Sequence, residues 1–257
     1  MERRPEINKA VVVTGASKGI GVATAIAFGK SGYNVVVNYH KDTKSVQKVV
    51  AQIEKYGQKA IAVQADVFTK EGIKKLFKIT KATFPKIDVF INNAGNPNEP
   101  SFGTYTSEDI NKSLGANIGA SILCTQEAVK LIDKGSILFN SSVYGLQFGG
   151  NPNLALYSAG KAAMINFAQT MAEKLAPNIR CNVVAPGTTK TPAWDGVAPE
   201  YSQKSLDMTL LKEWVDAEEI ANAFLFLAET PHITGQTIVV DAGWQKKIRD
   251  NSPKRKL

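Results

Sequence analysis

Ser142 and the run Tyr157-Ser158-Ala159-Gly160-Lys161 are the residues of this chain whose types and spacing suit proton transfer. The stretch after Lys161 reads A-A-M-I-N-F-A-Q-T-M-A-E-K-L-A, in which Met164, Phe167, Ala168, Met171 and Leu175 recur at helical spacing. Residues four apart on a helix are neighbours on one face, so the Tyr157 hydroxyl and the Lys161 ammonium can share a site. A nearby cation favours phenolate over phenol and lowers the tyrosine's pKa. That makes a tyrosine usable as general acid or base near neutral pH. Alone the pair says little, because aromatic and lysine residues fall four apart on many solvated helices.

A second constellation stands at the start of the chain. The apolar run Lys9–Thr14 reads as a buried strand and leads into Gly15-Ala16-Ser17-Lys18-Gly19-Ile20-Gly21, followed by a helix ended by Gly32. Glycines let the backbone turn tightly and approach a pyrophosphate, whose charge a helix N-terminus favours. A glycine-rich turn that follows a first strand and opens a helix is the context of a dinucleotide site. Here the pattern is G-x-x-x-G-x-G, not the commoner G-x-G-x-x-G.

The choice of dinucleotide can be read physically. A carboxylate at the end of the second strand would accept from a ribose 2′-hydroxyl and repel a 2′-phosphate. That strand ends Val37-Asn38-Tyr39-His40-Lys41, with no carboxylate, while Lys18 in the loop can reach a 2′-phosphate. A loop lysine is more often simply solvated, but with the acid missing it favours NADPH over NADH.

The elements that must position these residues alternate. Strands are expected at 9–14, 34–39, 59–64, 88–92, 136–140, 179–185 and 237–241. Helices are expected after Gly21, over 43–56, 70–84 and 107–130, from about Tyr157, and over 217–228, with a looser proline-containing segment at 186–213. This alternation implies an α/β fold of the Rossmann type, one doubly wound parallel sheet with helices on both faces. Residues 1–245 read as a single domain, with 246–257 a basic tail expected to be disordered.

Composition narrows the function classes. The 257 residues are 44% hydrophobic and 21% charged, enough for a large core. No apolar run is long enough for a membrane span and no apolar segment follows the N-terminus, so a cytoplasmic protein is expected. Cys124 and Cys181 sit in apolar surroundings and read as buried free thiols. His40 and His232 have no metal-ligand spacing, so no metal is expected. The net charge of +8 is concentrated at the ends, with Lys246, Lys247, Arg249, Lys254, Arg255 and Lys256 facing only Asp250 in the tail. The body is not basic, and no nucleic-acid partner is expected.

The ordered set T-G-A-S-K-G-I-G, Asp66-Val67, Asn92-Asn93-Ala94-Gly95, Asn117, Ser142, Tyr157 with Lys161, Pro186-Gly187 and Asp241-Ala242-Gly243 resembles the short-chain dehydrogenase/reductase family over nearly the whole chain, from Lys9 to Trp244. The resemblance is strongest to its 3-oxoacyl-carrier-protein reductases. It implies an NADP(H)-dependent enzyme that reduces a carbonyl to an alcohol, on a small substrate that is free or linked to a carrier protein or coenzyme A. It also implies that Ser142 polarises the substrate oxygen, Tyr157 exchanges the proton, Lys161 depresses the tyrosine's pKa and bonds the nicotinamide ribose, and Asn117 holds a water in the proton relay.

The same resemblance places the cofactor at Gly15, Ser17, Lys18, Gly19, Ile20 and Gly21, with Asn38, Tyr39 and His40 at the end of the second strand. Asp66 and Val67 would lie near the adenine, and Asn93, Ala94 and Gly95 on the adenosine side. Pro186, Gly187 and Thr189 would border the nicotinamide, and Thr191 would bind its carboxamide. The extra residues between Ser142 and Tyr157 fall in F-G-G-N-P-N, and Ser141 stands as the reserve for Ser142. A sugar or polyol dehydrogenase and an inactive nucleotide sensor are the alternatives. The family's usual assembly implies a homotetramer. Docking an acidic carrier protein would want lysines flanking the cleft, and Lys130, Lys134 and Lys174 are the candidates. Trp194 and Met208 fall where the family places a lid over the substrate, with core or subunit contact the other reading of both.

Overall fold

A computed structural model describes residues 9–147 and 149–244. The basic stretch expected to be a tail lies outside the described residues. Short apolar runs buried on both faces become strands, and amphipathic runs between them become helices. In order these are β1 (Ala10–Val13), α1 (Gly19–Lys30), β2 (Asn34–Tyr39), α2 (Thr43–Glu54), β3 (Ala60–Gln64), α3 (Lys70–Thr83) and β4 (Val89–Asn92). Then come α4 (Ser107–Leu114), a π-helical turn at Gly115–Gly119, α5 (Ala120–Ala128), β5 (Gly135–Asn140), α6 (Ala155–Leu175) and β6 (Ile179–Pro186). The last part holds β7 (Thr189–Lys190), α7 (Pro199–Asp207), β8 (Val215–Asp216), α8 (Ala217–Glu229) and β9 (Thr237–Val240).

Seven strands make one sheet in the order β3-β2-β1-β4-β5-β6-β9, with every pairing parallel. Val11 is paired with Val35 on one side and with Val89 on the other, which fixes the register at the centre. Strand side chains alternate between two cores. Val12, Phe90, Ile137 and Phe139 pack on one face with Leu76, Phe77, Cys124 and Met164 from α3, α5 and α6. Val11, Val13, Ile91 and Leu138 pack on the other with Phe28, Val49, Ile53 and Phe224 from α1, α2 and α8. The doubly wound sheet expected from the alternation is the one observed. Strand addition reverses between β1 and β4, and the crevice beyond their carboxyl ends is the usual ligand position in such sheets.

Two segments differ from expectation. The long helix over 107–130 is interrupted by the π-helical turn, which carries Asn117. The loose segment 186–213 contains β7, a single 3-10 turn at Pro192–Trp194, and α7. α7 begins on Pro199, a favoured first helical residue, but buries none of its residues. With no apolar stripe, it gave no periodic signal.

Cys124 and Cys181 are buried and free, and burial pushes both thiols up to about 12. Among the described residues no helix is long and apolar enough to cross a membrane.

Candidate active site

β5 delivers the chain to the site. Its last residue, Asn140, is followed by Ser141, whose hydroxyl donates to the Lys161 carbonyl oxygen at 2.9 Å. That bond joins β5 to α6 and takes up the reserve serine. Ser142 is different: its oxygen accepts from the Tyr144 N–H at 3.1 Å, and it lines the same cleft as Tyr157. Gly145 lets the chain after Ser142 approach α6 closely, because a Cβ there would lie 2.6 Å from the Lys161 carbonyl carbon.

Tyr157 lies in the first turn of α6, and Lys161 one turn further on. The Lys161 ammonium is buried, donates to the Asn140 main-chain oxygen at 2.6 Å, and stands 5.5 Å from the centroid of the Tyr157 ring. Burial pushes the phenol up to about 12, partly opposed by the Ser142 hydrogen bond and reinforced by Tyr144. Burial also draws Lys161 down to about 8. The expected depression of the tyrosine by the lysine is therefore not the state of the protein alone. Desolvation sets the direction for each group, and the ammonium is directed at a carbonyl, not at the phenol.

Asn117 sits in the π-helical turn between α4 and α5. Its Oδ1 accepts from the Asn96 N–H at 3.0 Å, and its Nδ2 donates to the Asn96 oxygen at 2.7 Å and the Ser113 oxygen at 3.0 Å. Gly95 lies where Asn117 and Lys161 converge, since a Cβ there would be 3.2 Å from Oδ1 and 3.3 Å from Nζ.

The glycine loop closes the other wall. Gly15 and Gly19 have φ of +62° and +54°, the left-handed region that glycine tolerates best. A Cβ on Gly21 would lie 2.7 Å from Asn93 Nδ2, which itself donates to the carbonyls of Thr14 and Gly15. The N-cap of α1, Lys18, makes no side-chain cap and the first turn holds no acidic residue. No side chain of the cap or first turn would thus compete with an anion for its amides.

Ile20, Asn93, Gly95, Pro186, Gly187, Thr189 and Thr191 line one open cleft with Ser142, Tyr157 and Lys161. It measures about 910 Å³ including the solvent at its mouth, enough for a nicotinamide and a small substrate.

The remaining cofactor candidates stand at the carboxyl ends of β1 to β4, in three ways. Ser17, Lys18 and His40 are partly or fully accessible, and His40 Nε2 lies 3.8 Å from Asp66 Oδ2. Ala94 packs on Gly15 and donates its N–H to Thr14 at 3.1 Å. Asn38, Tyr39 and Val67 are turned inward. The Asn38 carboxamide accepts from Gly15 and donates to Val63 and Ala65, and the other two side chains belong to the cores. These three can act on a bound ligand through the backbone and the shape of the loop.

The sequence profile of a family described as "Enoyl-(Acyl carrier protein) reductase" matches residues 15–245. A "3-oxoacyl-[acyl-carrier-protein] reductase" of Synechocystis is 39% identical over 90% of this chain and 95% of its own length. The chain belongs to the short-chain dehydrogenase/reductase family. A short-chain dehydrogenase of Burkholderia cenocepacia solved with NADP superposes with a TM-score of 0.85 at 30% identity, covering 92% of this chain and 98% of that one. An angucycline C-6 ketoreductase with bound NADP superposes with a TM-score of 0.86 at 29% identity, over 93% and 96%.

Several residues that shape this short-chain dehydrogenase/reductase site carry no motif. Tyr144, Leu154, Trp194 and Trp244 form an apolar wall of the cleft. The Trp244 ring meets Tyr144 edge-on at 5.5 Å, and Trp194 packs on Trp214 at 4.7 Å. Trp194 thus lines the cleft, and its place in the family's lid segment was the signal for it. Glu99 was missed entirely.

The lysines expected to flank the cleft do not. Lys130 and Lys134 precede β5, at its amino end, and Lys174 closes α6. The rest of that helix, at 1.5 Å per residue, puts Lys174 roughly 25 Å from Tyr157.

Proposed function

We propose that this oxidoreductase reduces a ketone to a secondary alcohol with NADPH, Tyr157 acting as the general acid. The observation that carries the reading is that Ser142, Tyr157 and Lys161 line one cleft with Ile20 of the glycine loop. That loop suits a dinucleotide, because its glycines leave room for a pyrophosphate and the uncapped α1 amides face it. Lys18 would meet the 2′-phosphate, and Thr189, Thr191 and Pro186 the nicotinamide. Bound NADPH would supply the hydride to the carbonyl carbon. Two structural neighbours were solved with NADP, which supports this choice.

The residues then divide the work by geometry. Ser142 has its oxygen fixed by the Tyr144 N–H, which leaves its own proton for a substrate oxygen. Tyr157 is held as a phenol by burial, the form that can give a proton as charge develops on that oxygen. Lys161 sits beside it as a buried cation, where negative charge on the phenol would be stabilised during turnover. Asn117 fixes the Gly95–Asn96 segment beside Lys161, and a water held there would complete the relay.

The substrate class this supports is a 3-oxoacyl thioester or a similar ketone, because the relatives are named for it and the wall of Tyr144, Leu154, Trp194 and Trp244 suits an apolar chain. A polyol is less well served, since among the described residues lining the cleft there is no carboxylate to bind several hydroxyls. The same reading takes residues 1–245 as one catalytic domain and the assembly as a cytoplasmic homotetramer. Exposed Phe226 on α8 and Val239 on β9 are suited to a subunit contact.

NADPH oxidation with acetoacetyl and crotonyl thioesters, alongside NADP+ reduction with polyols, tests the assignment. Turnover of acetoacetyl thioester is expected. Turnover confined to the crotonyl thioester would make the protein an enoyl reductase, as the family description words it.

A further inference from the structure

We propose that Glu99 is a positioning residue for Tyr157, capping α6 from a distant loop and thereby setting where the phenol sits. The inference rests on the reading of Tyr157 as the general acid. A helix leaves the N–H groups of its first turn without intrahelical partners, and α6 offers no local answer. Its N-cap is Leu154, which makes no side-chain cap, and its first turn holds no acidic residue.

Glu99, far earlier in the chain, fills that role with both oxygens. Oε2 accepts from the Tyr157 N–H at 2.7 Å, and Oε1 accepts from the Leu156 N–H at 3.1 Å. The Tyr105 hydroxyl also donates to Oε1, at 2.6 Å. The positive end of the helix dipole favours a carboxylate there. The loop that carries Glu99 is anchored at its other end, where Asn96 is held by Asn117 and Gly95 lies against Lys161. One short segment therefore runs from the lysine to the main chain of the tyrosine. It lies against the lysine at one end and bonds the main chain of the tyrosine at the other.

An ordinary cap contributes to stability alone. A cap that places a reacting group has a second effect, because a displacement of about 1 Å can cost ~10²-fold in rate. The test is steady-state and single-turnover NADPH oxidation by Glu99→Ala and Glu99→Gln, each alone and combined with Tyr157→Phe. Glu99→Ala is expected to lower kcat by about ten- to a hundredfold while the Kd for NADPH stays within about twofold. Glu99→Gln keeps one acceptor oxygen and should fall between. With Tyr157→Phe already present, Glu99→Ala should cost less than about twofold more, because the group it acts through is gone.

Additive losses would overturn the inference and point to general destabilisation. So would a Glu99→Ala enzyme with kcat within about twofold of wild type while Tyr157→Phe is crippled. Near-normal turnover by Tyr157→Phe would instead remove the reading on which the inference rests. Should the alanine variant not fold, the glutamine variant carries the same comparison.

Discussion

The Lys161 ammonium donates to the main-chain oxygen of Asn140 across 2.6 Å, inside the protein. This bond ties the second turn of α6 to the end of β5, and it places a charge where water cannot solvate it. Desolvation lowers its pKa from 10.5 to about 8.

The cost of that charge has a definite pH dependence. Between about pH 8 and 10.5 the unfolded chain binds a proton that the folded chain does not, so this group makes stability rise with pH across that window. Below it, the folded state bears the full cost of the buried cation. Lys161→Met should therefore be more stable than wild type at pH 7, by on the order of 1–2 kcal/mol after the lost Asn140 bond is deducted. The advantage should shrink toward pH 10. Urea unfolding at several pH values checks this, and a pH-independent difference would mean that the charge is not what the substitution removes.

Lys18 should govern the choice of cofactor. A charge-assisted contact with a 2′-phosphate is worth roughly 1.5–3 kcal/mol, about a ten- to hundredfold preference. Asp42 lies close enough for its carboxyl to feel the Lys18 charge, which tempers the effect. Lys18→Ala should raise KM for NADPH and leave KM for NADH almost unchanged. Equal losses with both would assign Lys18 to the shape of the loop.

Gly21→Ala should damage the dinucleotide site through the backbone. The new methyl would press on Gly15 and come 2.7 Å from Asn93 Nδ2, which holds the loop shut. Overpacking of this kind costs about 1–3 kcal/mol. NADPH affinity, followed by fluorescence titration, should fall at least about tenfold. Wild-type affinity would show that the loop yields without loss of its binding geometry.

Much of this architecture was legible in the sequence. Valine-rich runs between amphipathic segments can only bury both faces as central parallel strands, and the glycines between Thr14 and Gly21 admit few other turns. What escaped depends on depth and distance. Helical spacing puts Tyr157 and Lys161 on one face but says nothing of the desolvation that drives their pKa values. The periodicity around Asn117 is helical, so the π-helical turn that brings its carboxamide to Asn96 leaves no trace. Glu99 reaches α6 only because the sheet folds its loop beside it. Lys130, Lys134 and Lys174 looked suited to the cleft until the strand direction placed them at the other end of the sheet.

Tyr157→Phe, assayed for NADPH oxidation with acetoacetyl thioester and for NADPH affinity by fluorescence titration, tests the central claim most directly. Phenylalanine keeps the ring packed and removes the proton that must reach the substrate oxygen. Loss of a positioned acid typically costs ~10²–10⁴-fold. Turnover is expected to fall by at least that factor with affinity almost unchanged, whereas near-normal turnover would contradict the assignment of Tyr157 as the general acid.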